Sequence, residues 1–111
     1  MSALNELGAR TDARSSWQES ATVALDIGAG RGALVIYPSD RYRGREIEIS
    51  RSDAGRRVHT GVHERMTAAG PVLTAIFGSL PQGDYRIWAD AQTPGPRVSV
   101  PEGAVAEMRL S

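Results

Sequence analysis

Cysteine is absent from this 111-residue chain, and so is lysine, since all 13 basic residues are arginine. Without cysteine there is no disulfide, no thiolate metal site and no cysteine nucleophile. The missing lysine, beside abundant alanine and glycine, reads as the codon bias of a GC-rich bacterial genome and carries no chemistry. Aromatic residues are scarce at 5%, too few to line a sugar-binding platform. Neither sign of charge is in excess, because 13 acidic residues balance the 13 basic ones. That balance argues against a nucleic-acid partner or an anionic membrane surface. No apolar run approaches the roughly 20 residues of a membrane span. The N-terminus lacks the ordered basic, apolar and small-residue zones of a secretory signal, so a cytoplasmic location is the expectation.

What the chain does contain is a series of short apolar runs punctuated by Gly, Pro, Asp and Ser. The most informative is Val72 to Trp88, VLTAIFGSLPQGDYRIW. It reads as a strand, a Leu-Pro-x-Gly corner and a second strand. Leu73, Ala75 and Phe77 share one face by period-two alternation, and Tyr85 and Ile87 share another. Pro81 fixes φ at the corner and Gly83 frees the exit from it. Further strands are expected at Thr22–Ile27, Ala33–Tyr37, Glu46–Ser50, Arg57–Arg65, Arg97–Val100 and Ala104–Arg109. Thr93-Pro94-Gly95-Pro96 reads as a break, and Gly28 to Gly32 as a hairpin loop. Seven or eight strands at this spacing predict an all-β, antiparallel β-sandwich. The length suits one domain, expected over residues 21–111 behind a flexible 1–20 segment with Trp17 as its large apolar anchor and a turn of helix near Asn5–Arg14.

Three groups of residues invite a functional reading. Leu25 to Gly32 has the acidic-then-glycine pattern of a cofactor cradle, but ALVIYPS follows where such a cradle needs a helix, so no cofactor is expected. His59 and His63 fall four residues apart on the expected Arg57–Arg65 strand, which puts them about 13 Å apart and unable to share a metal. Arg41, Arg43, Arg45, Arg56 and Arg57 concentrate positive charge near the middle of the chain. If the hairpin brings Arg41–Arg45 beside Arg56 and Arg57, a patch for an anion or an acidic partner results. Trp88 is expected on an exposed face and joins these arginines as a candidate binding residue.

Tyr42-Arg43-Gly44-Arg45 resembles the closing Tyr-Arg-Gly-Ser of the transthyretin-related enzymes that hydrolyse 5-hydroxyisourate, although here it lies mid-chain and Arg45 stands in place of the serine. GALVIYPSDRYRGREIEISR, AIFGSLPQGDYRIW and VSVPEGAVAEMRL together resemble small high-GC bacterial proteins of prealbumin type. The corner Leu80, Pro81, Gly83, Asp84 and Tyr85 is also similar to carboxypeptidase-regulatory-like and collagen-adhesin B-type modules. These resemblances imply a two-sheet sandwich of mostly non-catalytic kind. An adhesin-type isopeptide crosslink is excluded for want of lysine.

The resulting expectation is a non-catalytic interaction or accessory module whose partner is a protein, another chain or a further copy of itself through sheet edges or faces. The alternative is a small transthyretin-related hydrolase in which Arg43, Arg45 and a histidine meet at a subunit interface, the arginines holding an anion and the histidine moving a proton.

Overall fold

A computed structural model describes residues 25–111, which form eight strands in two four-stranded sheets. The 1–20 segment with Trp17, the helical turn near Asn5–Arg14 and the first half of the Thr22–Ile27 strand lie outside the described residues. Among the described residues no helix is long and apolar enough to cross a membrane.

The strands are β1 (Arg31–Pro38), β2 (Glu46–Ser50), β3 (Arg57–Gly61), β4 (His63–Thr67), β5 (Gly70–Pro81), β6 (Gly83–Trp88), β7 (Pro94–Val100) and β8 (Val105–Leu110). Sheet one runs β4-β5-β1-β8 and sheet two runs β3-β2-β6-β7. The all-β sandwich expected from the strand spacing is therefore present. Its pairings are antiparallel except for β1 and β8, which run parallel from Ala33↔Val105 to Pro38↔Leu110.

Between the sheets lies a core in which Leu34, Ile36, Ile47, Ile49, Phe77 and Ile87 are buried. Each such side chain contributes about 1.5–3 kcal/mol by leaving water. The alternation read from β5 and β6 holds, with Ala75, Phe77, Tyr85 and Ile87 all facing this core. β1 shows no alternation and is buried almost throughout. It is an inner strand covered on both faces, the setting in which strands read as continuous apolar runs. Its Val35 points away from the main core and packs with Ile76, Leu25, Tyr37 and Val105 on the outer face of sheet one.

The Leu-Pro-x-Gly corner carries the chain from sheet one to sheet two. Gly83 sits at φ 141°, a conformation that a side chain would oppose. The Tyr85 hydroxyl donates to the Pro81 carbonyl at 2.6 Å, and Arg51 Nη2 donates to the Gln82 carbonyl at 3.0 Å. The corner is thus fastened by a tyrosine from the strand that leaves it, as in other sandwiches.

Three expectations need correction. The Arg57–Arg65 segment is two strands, because the chain leaves sheet two at Val62 and enters sheet one at His63. Leu25 to Gly28 is not a strand; the Asp26 N–H donates to the Gly78 carbonyl at 3.0 Å, so this stretch is tied to β5 rather than forming a hairpin with β1. Pro94-Gly95-Pro96 does not break the chain but opens β7, an edge strand, where a missing N–H is tolerated.

Candidate functional site

The β2–β3 register decides the fate of the arginine patch. Glu46 lies opposite Gly61 and Ser50 opposite Arg57, so Arg45 enters one end of the hairpin and Arg56 and Arg57 stand at the other. Four residues of strand separate them, about 14 Å. The two groups form no common patch.

The arginines of the Arg41–Arg45 segment are engaged close to home. Arg43 donates to Asp40 Oδ1 from Nε at 2.9 Å and from Nη2 at 2.8 Å, and its Nη1 lies 3.2 Å from Glu64 Oε1. These contacts, Asp40 foremost, raise its pKa further above the ordinary arginine value. Arg41 and Arg45 flank the ring of Tyr42, at 4.6 and 5.4 Å from its centroid. Tyr42 itself, carried on a single 3-10 turn (Asp40–Tyr42), is buried in the main core. Its flanking arginines hide that role in the sequence, where the segment reads as a polar loop. Arg56 is exposed.

Trp88 is not on an open face. It is 7% exposed, because Arg57 from the edge strand lies over its ring at 3.7 Å, reaching diagonally across β2. Glu48 Oε1 holds the Arg57 guanidinium at 2.8 Å. The indole Nε1 donates to Ser50 Oγ at 2.9 Å, and that hydroxyl donates to the Ser52 carbonyl at 2.6 Å. A contact of this kind between guanidinium and indole is favourable at the protein surface.

His59 and His63 belong to different sheets. His59 Nδ1 meets Glu46 Oε1 at 3.0 Å with both side chains largely in solvent, and His63 is exposed beside Gly61. Among the described residues no group of three or more His, Asp or Glu is placed to hold a metal ion.

What the sequence reading missed is a cleft of about 800 Å³ at one end of sheet one. Its apolar surface comes from Pro38, Val72, Leu73 and Leu110, with Tyr37 and Arg109 beside them. The ends of β1 and β8 form one wall, and the β4–β5 turn forms the other. That turn is locked by Thr67, whose hydroxyl donates to the Gly70 carbonyl at 2.6 Å and accepts from the Ala69 N–H at 3.1 Å. The Ser39 N–H donates to the Leu110 carbonyl at 2.7 Å and closes the floor. Ser39 Oγ, also in this wall, is buried with no hydrogen-bond partner among the described residues. The Tyr37 hydroxyl points to Glu107 Oε1 at 3.4 Å. Burial first and the Glu107 charge second push the Tyr37 pKa well above its ordinary value, so the phenol stays protonated. A smaller cavity of about 150 Å³ lies on sheet two between Arg45, Glu48, Trp88 and Asp90.

Among the described residues the walls of the large cleft present apolar side chains, hydroxyls, the Arg109 cation and the Glu107 anion. Its residues come from four strands, β1, β4, β5 and β8, and from the segments beside them, so no local motif announces it. Compared with known proteins, the chain matches no family model, no curated protein and no solved structure, and the prealbumin-type resemblance rests on its residues alone.

Proposed function

We propose that the protein is a non-catalytic β-sandwich module that binds an extended polypeptide segment in the cleft at the Tyr37 end of sheet one. The cleft itself is the observation that supports this reading. It joins an apolar floor at Val72, Leu73 and Leu110 to a charged rim at Glu107 and Arg109. An extended segment places alternate side chains into such a floor and keeps its main chain for polar contacts. Ser39, whose buried hydroxyl has no hydrogen-bond partner among the described residues, also lines the cleft.

The hydrolase alternative keeps one contact in its favour, since Arg43 pairs with Glu64, the neighbour of His63. Against it stands the engagement of Arg43 by two carboxylates, which leaves little of its guanidinium to hold an anionic substrate.

Selection of peptides from a random display library on the full chain tests the proposal. The expected result is a set of peptides with spaced apolar residues whose affinity falls at least about tenfold, 1.4 kcal/mol, in Val72→Glu and is unchanged in Arg43→Ala, Arg45→Ala. Affinity lost in the double arginine variant and kept in Val72→Glu would move the contact to the loop. Turnover of 5-hydroxyisourate that disappears in His63→Ala would replace the proposal with the hydrolase.

A further inference from the structure

The four edge strands of the sandwich differ in what they offer to a further strand. Among the described residues no strand pairs with the outer side of β3, β4, β7 or β8. Such an edge accepts a strand unless charge or proline blunts it. β7 opens with Pro94 and Pro96, which have no N–H to give. Laid antiparallel on a second copy of itself in its fullest register, β3 sets His59 opposite His59 and Arg57 opposite Gly61, with no complementary pair. β4 sets Arg65 opposite Arg65, and like charges directly opposite are unfavourable. β8 behaves differently. Its Ala106 and Met108 face the core but are only partly buried, whereas Glu107 and Arg109 stand exposed on the outer face beside Val35 and Tyr37. The Ala33 N–H donates to the Ala104 carbonyl and the Ser39 N–H to the Leu110 carbonyl, so the even-numbered residues of β8 turn their main chain toward β1. Val105, Glu107 and Arg109 therefore turn theirs to the outer edge.

We propose that two copies of this chain join antiparallel through β8, about a two-fold axis at Met108, and so merge their four-stranded sheets into one continuous sheet. Three conditions select that register. The faces of the sheet must continue across the join, so each residue meets one of its own parity. The outward main-chain groups must meet, so the odd-numbered residues exchange hydrogen bonds. Opposite charges must face each other. Registers centred on Glu107 or on Arg109 put like charges together, and those centred further out pair fewer residues. Centring on Met108 sets Glu107 opposite Arg109 of the second copy, and symmetry repeats the pair. On the core side Ala106 meets Leu110 and Met108 meets Met108, which covers the two half-buried residues. Glu107 already receives the Tyr37 hydroxyl of its own chain, and a carboxylate accepts more than one donor. The contact is isologous and occupies the β8 edge of both copies, so it closes at two. Because Arg109 also lines the cleft, each cleft carries Glu107 of the second copy at its rim.

Sedimentation velocity of the full chain over a range of concentrations reads the association, and charge reversal reads its register. Glu107→Arg and Arg109→Glu each turn both cross-strand pairs into repulsions, and each alone is expected to weaken the dimer at least about tenfold. Mixed one to one, the two variants restore opposite charges at every pair and are expected to associate as the unaltered chain does. The chain has no cysteine, so Met108→Cys adds a single thiol. On the axis it meets its mate at a Cα separation of about 4.5 Å, within disulfide range. Oxidation is expected to cross-link that variant faster than Met66→Cys on β4, although Met66 is the more exposed. This second readout serves if a charge variant does not fold. A chain that is monomeric at every concentration overturns the proposal. So does a dimer that both charge variants leave intact, a mixture of the folded variants that stays monomeric, or cross-linking that favours Met66→Cys. Peptides captured by a purely monomeric chain remove this inference and leave the proposed function standing.

Discussion

The two sheets treat their outer faces in opposite ways. Sheet two covers its own aromatic surface, with Arg57 laid over Trp88 and held by Glu48, and Arg86 spanning from Asp53 to the Gly95 carbonyl. Sheet one covers the middle of its face with Leu25 and leaves a cleft at the Tyr37 end. Arginine is the difference. A guanidinium on a long stem can lie flat on an aromatic ring and keep its edge in water, so sheet two needs nothing from outside. Among the described residues the floor of the cleft has no such cover.

Three substitutions and one titration sharpen or break this contrast. Trp88→Ala removes a buried indole from beneath Arg57 and is expected to cost about 3–5 kcal/mol in urea unfolding. Val72→Ala in the cleft is expected to cost about 1 kcal/mol or less, since Val72 is only half-buried. Equal costs would mean that the cleft is a structural core and not a binding surface. Tyr85→Phe removes the bond that fastens the corner between the sheets and is expected to cost about 1–1.5 kcal/mol, read from the same unfolding curves. The smallest effect is alkaline. The Tyr37 pKa is raised in the folded protein, so its contribution is complete below the ordinary value of 10.0 and is lost as pH climbs from there toward the native value. Unfolding free energies measured from pH 9 to 11 should fall more steeply for the unaltered chain than for Tyr37→Phe, and parallel slopes would refute the burial of that phenol.

The parts of the fold legible in the sequence are those fixed by neighbours in the chain. The Leu80–Tyr85 corner is one, because Pro81, Gly83 and Tyr85 each impose a local geometry, and the facing of Ile47, Ile49, Phe77 and Ile87 is another. The switch of sheets at Val62 is not legible, since period-two alternation continues through it and only pairing with distant strands separates His59 from His63. Trp88 shows the same limit from the other side. Alternation puts it outward correctly, between core-facing Ile87 and the following loop, but its roof comes from an edge strand two places away in the sheet. The candidate arginines follow suit. Their number is plain in the sequence, yet the hairpin register that parts Arg45 from Arg57 depends on where the Ser52–Gly55 turn falls. The cleft, assembled from the ends of separate strands, lies beyond any local reading.

The parallel pairing of β1 with β8 sets an order of events during synthesis. β1 is among the most apolar stretches of the chain, yet its β8 neighbour leaves the ribosome only after the six strands β2–β7 that lie between them. Sheet one can close only after those six strands have emerged, so β1 waits with one edge bare while they are made. A chain stopped before Val105 would carry that bare edge permanently, and clumping of nascent chains, more than loss of the finished fold, is the hazard that this topology brings to the cell.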